Sequence, residues 1–172
     1  HREHVVEVFE ASTDAMVAHG VALDAVRAIR DDGELFCFVD PDIKARRPFL
    51  PVFLDVLAHD DAVTSGNEVW TDENVLPSGH IGVGGRHFYD ANGFVFGSPH
   101  FAMYRRSALD ETTARWNVGL GSAGPELDGE TRARLEDAEH RYAVYDTGKI
   151  VNILLQLDGH RLQHVDHPHL IH

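Results

Sequence analysis

The chain has 172 residues, 43% of them apolar, enough to bury one sizeable core at the usual size of a single domain. Its formal charge of -13 repels a nucleic-acid backbone or an anionic bilayer, and no cluster of Lys and Arg stands out in the sequence against that field, so nucleic acid is excluded as a partner. No run of eighteen apolar residues and no basic-then-apolar leader pattern occurs, so neither a membrane span nor a secretion signal is expected.

Val5-Val6-Glu7-Val8-Phe9 reads as a short strand, and Ser12-Thr13-Asp14 as the cap of a helix over Ala15 to Ile29, whose apolar residues recur at three- and four-residue steps. Leu35 to Val39 is the second strand, apolar on both faces as if covered by helices on either side. The lone Cys37 lies inside it and reads as a small buried hydrophobe; with no partner for a disulfide, a reducing cytoplasm is the expected setting. A helix entered through Pro48 follows over Phe49 to Ala58, then a strand within Asp61 to Val69. Thr71 to Gly97, dense in Gly and polar residues, reads as loops with short extended pieces, and Gly82-Val83-Gly84-Gly85-Arg86 as a lid or acceptor loop rather than a phosphate loop, because no strand and helix flank it. Phe101 to Tyr104 is strand-like, Ala108 to Asn117 and Gly129 to His140 helical, and Gly119 to Gly129 a flexible linker. A last amphipathic helix starts at Asp146, is stopped by Gly159, and leads into a strand over Leu162 to Val165.

The sharpest chemical feature is the end of the second strand, where Asp40 and Asp42 flank Pro41. Open α/β sheets place ligands beyond the carboxyl ends of their strands. In an extended segment, side chains two apart point the same way, so one hard divalent ion, magnesium or manganese, could reach both carboxylates and keep positions open for phosphate oxygens. The simpler alternative is that Asp-Pro-Asp turns the chain after a core strand. An acidic chain can bind a diphosphate through such a cation, so the charge balance fits a metal-assisted site better than an arginine clamp.

An apolar strand ending in Asp-x-Asp, preceded by a helix carrying His19-Gly20-Val21-Ala22-Leu23-Asp24, resembles the donor half-site of GT-A-fold nucleotide-sugar glycosyltransferases, family 2-like. Further segments follow in the order that family requires: Gly97-Ser98-Pro99-His100 entering Phe101-Ala102-Met103-Tyr104-Arg105-Arg106, then Tyr145-Asp146-Thr147-Gly148, then a His-rich strand end. The resemblance implies an α/β, GT-A-like (Rossmann-like) mixed sheet flanked by helices, with residues 1–172 forming one catalytic domain. No counterpart of the family's base-binding strand and helix precedes His1-Arg2-Glu3-His4, so that domain is expected to be incomplete at its N-terminus. The implied reaction moves a sugar from a nucleotide diphosphate donor to a hydroxyl acceptor, with Mn2+ or Mg2+ held by Asp40 and Asp42 on the donor diphosphate.

The resemblance also implies a third metal ligand from a late segment, for which His172 is the candidate and His167 and His169 the rivals, with Asp166 able to orient whichever is used. Asp146 either caps the last helix or takes the proton from the acceptor hydroxyl, the base that an inverting transferase requires; Asp72, Glu73 and Asp90 are weaker candidates for that base. His100 could contact acceptor or phosphate, or be a hydrogen-bonded structural residue. His19 and Gly20 lie before the metal strand, where the bare Gly20 admits a ligand or another backbone. Two other functions remain open: a metal-dependent hydrolase using the same Asp and His residues to activate water, and a non-catalytic binding domain of enzyme-like fold.

Overall fold

The computed structural model describes residues 15–30, 33–67, 69–71, 85–87, 94–95, 98–138, 140 and 147–171. In chain order its elements are α1 (His19–Ile29), β1 (Leu35–Val39), β2 (Lys44–Ala45), α2 (Leu50–Leu57), β3 (Ala62–Asn67), β4 (Val69–Thr71), β5 (Gly85–His87), β6 (Ser98–Arg105), α3 (Arg106–Trp116), α4 (Gly129–Asp137), α5 (Lys149–Leu157), β7 (Leu162–His164) and β8 (Leu170–Ile171). Four strands form one mixed sheet in the order β1-β6-β3-β7, while β2 pairs with β8 and β4 with β5. Because β1 and β3 are both antiparallel to β6 and β3 is parallel to β7, the strands β1, β3 and β7 run one way and β6 runs against them.

Strand alternation divides the core in two. Phe36, Phe38, Ala62, Ala102 and Tyr104 point to one face, where they pack with Leu109, Ile150, Ile153 and Leu154 from α3 and α5. Val63, Phe101 and Met103 point to the other, against Phe53 and Leu57 of α2 and Leu170. The flanked mixed sheet expected from the sequence is therefore present. The periodicity of α5 understates its burial: all seven residues from Lys149 to Leu155 are enclosed. Tyr104, wholly buried, donates its hydroxyl to Asn152 Oδ1 at 2.9 Å, and burial holds the phenol well above its ordinary pKa.

Several expectations need correction. Helix α1 begins at His19 rather than Ala15, with Ala18 extended at its N-cap and no side chain capping it. Buried Gly20 instead fixes its start by packing on the backbone of Leu120 and Gly121. The stretch 119–129 is not a free linker: Asp24 accepts from the amides of Leu120 (2.9 Å) and Gly121 (3.0 Å), Glu126 accepts from Ala123, and Leu120 is fully buried. Cys37 is exposed, since α2 packs over β3 and β6 and leaves the outward face of β1 uncovered. Helix α5 starts at Lys149, with Gly148 (φ 73°) at the N-cap, rather than at Asp146. The stop at Gly159 (φ 93°) is as expected. The strand expected over residues 5–9 and most of the Gly-rich stretch lie outside the described residues.

At the end of the sheet where β1, β3 and β7 begin, arginines close the structure. Arg105 donates to the carbonyls of Leu57 and Asp60, Arg106 to that of Gly33, and Asp61 accepts from the Arg161 amide at 2.9 Å. Among the described residues no helix is long and apolar enough to cross a membrane.

Candidate functional site

The opposite end of the sheet, where β1, β3 and β7 finish and β6 begins, carries the residues singled out in the sequence. The Asp40 amide donates to the His100 carbonyl at 2.8 Å, extending the β1–β6 ladder one step past the Val39–Phe101 pair. Asp40 and His100 therefore stand opposite each other with their side chains on the face shared by Phe38 and Ala102. The Asp40 carbonyl then accepts from the Ile43 amide at 3.1 Å, closing a turn with Pro41 and Asp42 at its centre. Proline's fixed φ suits the first central position of such a turn. This corrects the expectation of an extended segment aiming both carboxylates the same way. Asp-Pro-Asp does turn the chain, and the turn leaves Asp42 exposed while Asp40 stays 26% exposed against the sheet.

Helix α1 delivers His19 to this corner. Its Nδ1 lies 3.4 Å from Asp40 Oδ1, and its ring meets Phe38 edge-on at 5.7 Å between centroids. A partner at this distance can orient the carboxylate. Gly20 does something else: a Cβ there would come within 2.5 Å of Gly121 Cα and 2.6 Å of its nitrogen. Backbone occupies that space, so Gly20 sets the seat of α1, and through it His19, rather than contacting a substrate.

His100 is buried at the start of β6. On the same face, two strands along, β7 places His164 beside Thr64 of β3, which also pairs with Ala102. Burial pushes the His164 imidazole down to about 4, the neighbouring His100 adds to that shift, and Asp166 opposes it. His164 is thus a neutral imidazole near neutral pH. The alternation of Leu162 and His164 was a usable signal that both face one side, but the pairing that brings His164 to His100 was not visible in the sequence. Lys149, buried at the start of α5, was likewise missed, and its helix reaches this end because Gly148 abuts the Tyr104 hydroxyl and Pro99.

The late histidines divide differently. His167 is buried on the α2 face, stacked on Phe53 with centroids 5.7 Å apart, and its Nδ1 accepts from the His169 amide at 3.2 Å. Packing accounts for it, and it stands on the face away from Asp40, so its candidacy as a metal ligand falls; His169 leans on it ring to ring at 5.3 Å. His172 and Asp146 lie outside the described residues.

Among the described residues no group of three or more His, Cys, Asp and Glu side chains is disposed to enclose a metal ion. A closed structural site of the zinc type is therefore not built from them. Two carboxylates at a solvent-facing turn suit another coordination chemistry, in which magnesium or manganese uses one or two protein carboxylates and takes its remaining ligands from water and substrate phosphates. No protein-family model, curated protein or solved structure matches this chain.

Proposed function

We propose that the chain is a GT-A-like glycosyltransferase domain that transfers a sugar from a nucleotide diphosphate donor to a hydroxyl acceptor. The observation that carries this reading is the turn at the carboxyl end of β1, with Asp40 against His19, Asp42 in solvent, and buried His100 opposite. Such an edge of an open sheet is where α/β proteins seat their ligands.

In this reading Asp40 and Asp42 hold a divalent cation, Mn2+ or Mg2+, against the donor diphosphate, and His19 fixes the orientation of the Asp40 carboxylate. The cation, when bound, neutralises charge on the departing diphosphate. His100 faces the same corner and is assigned to donor or acceptor contact. Asp146, two residues before the Gly148 at the N-cap of α5, is assigned as the base that accepts the acceptor proton, which makes the transfer inverting.

The test is calorimetric titration of UDP, GDP and dTDP with and without manganese into the wild-type chain and Asp42→Ala. Binding of one nucleotide that requires the metal and is lost in Asp42→Ala is the expected result. A folded protein that binds none of the three in either condition sinks the assignment. Consumption of the matching sugar nucleotide at full rate without any acceptor would favour the hydrolase instead.

A further inference from the structure

A second surface begins two residues after Asp42 and does not depend on the assignment of that site. Lys44, Arg46 and Arg47 are all exposed, and among the described residues none of their side chains has a salt bridge or hydrogen bond. That is unusual in a chain of charge -13. Arg27, Arg115 and Arg161 hold carboxylates, and Arg105, Arg106 and Arg134 hold backbone carbonyls. The three unpaired bases run directly into exposed aliphatic side chains of α2, with Leu50, Val52 and Leu54 exposed to 44, 43 and 46%. The stretch 45–51 lines a shallow depression of about 490 Å3 between them.

The strip cannot roll inward to hide its apolar part. Phe49 already points into the core, edge-on to Phe101 at 5.3 Å and to Phe53 at 5.9 Å, and Phe53 and Leu57 take the buried side of α2. On the other flank, β2 is pinned to β8 and the Arg46 amide donates to the His169 carbonyl at 2.9 Å.

We infer that Lys44 to Leu54 is a docking surface for an anionic lipid membrane. Leu50 and Leu54, one turn apart on α2, enter the interface while Lys44, Arg46 and Arg47 meet the headgroup charges, the pairing of basic and aliphatic groups that interfacial binding requires. This corrects the expectation, drawn from the net charge of -13, that an anionic bilayer is repelled and that no basic cluster stands out: Lys44, Arg46 and Arg47 form a local one, and exposed charges more than about 8 Å away are largely screened at physiological salt. The nearest exposed carboxylates in sequence are Asp42, before the strip, and Asp55 on α2, and the three bases outnumber them. A protein partner is the less favoured occupant, since the exposed apolar members are aliphatic and bring none of the aromatic anchors typical of protein interfaces.

Flotation of the whole chain with phosphatidylcholine vesicles, and with vesicles carrying about 30% phosphatidylserine at about 0.15 M salt, tests the proposal. Partitioning onto the anionic vesicles is expected, weakened at least about tenfold by Arg46→Ala/Arg47→Ala and by Leu50→Ser/Leu54→Ser, with the far-ultraviolet dichroism of both variants unchanged. No preference for anionic vesicles in the wild-type chain overturns it, as does equal partitioning of the variants. A dimer in sedimentation that Leu50→Ser/Leu54→Ser abolishes, without vesicle binding, also overturns it and assigns the face to self-association.

Discussion

The two ends of the four-stranded sheet are built from the same strands and differ in what their polar groups do. Where β1, β3 and β7 begin, Arg105 and Arg106 are spent on the carbonyls of Leu57, Asp60 and Gly33, and Asp61 ties down Arg161. Those groups complete the backbone's own hydrogen bonding and leave little for a ligand. Where the strands finish, Asp40, His19, His100 and His164 gather on one face beside a turn that holds Asp42 in solvent. One end is closed by arginine-to-carbonyl hydrogen bonds and the other gathers titratable side chains at the strand carboxyl ends, where open α/β sheets seat their ligands.

Breaking the closed end should cost the most. Arg105→Ala removes the donor to two carbonyls in a half-buried position, and a loss of about 2–4 kcal/mol in urea unfolding is expected, with nucleotide affinity of the folded fraction unchanged. Parallel loss of binding per folded molecule would erase the distinction between the ends. At the open end the balance reverses. Asp40→Asn should weaken metal-dependent nucleotide binding at least about a hundredfold, some 2.7 kcal/mol, while thermal unfolding barely moves. A large drop in stability with binding intact would make Asp40 a structural residue.

The clasp that seats α1 lies between these extremes. Asp24→Ala leaves the amides of Leu120 and Gly121 without their acceptor, for an expected loss of about 1–2 kcal/mol, and donor binding should weaken a few-fold through displacement of His19. Unaltered binding would show that His19 does not need that seat. The smallest effect concerns pH. His164 titrates near 4 when folded against 6.5 as a free side chain, so the unfolded chain takes up its proton first. The stabilisation is present above about pH 6.5 and is lost as pH falls towards about 4, amounting to about 1 kcal/mol once partial exposure is allowed for. His164→Gln should flatten the stability profile in that window, and an unchanged profile would remove His164 as its source.

What the sequence disclosed follows from the range of each interaction. β1, α2 and α5 were legible because their apolar periodicity is local, and the position of Asp40 and Asp42 was legible because an apolar run stops at Asp-Pro-Asp. The turn itself is not separable in the sequence from an extended segment, since Pro and two Asp satisfy either geometry locally. The rest depended on contacts far apart in the chain. Asp24 clasps amides 96 and 97 residues away, and His164 meets His100 only through the parallel pairing of β3 with β7. The exposure of Cys37 and the burial of His167 both turn on where α2 lies over the sheet, which no single strand records.

The most direct measurement is manganese-induced broadening of backbone amide resonances in the isotopically labelled chain with its preferred nucleoside diphosphate. The amides of His19, Asp40, Asp42, Ile43 and His100 should broaden first, and those of Asp61, Arg105 and Arg161 at the closed end last. Broadening that starts at the closed end, or spreads evenly over the chain, would contradict the assignment of Asp40 and Asp42 as the metal-binding pair.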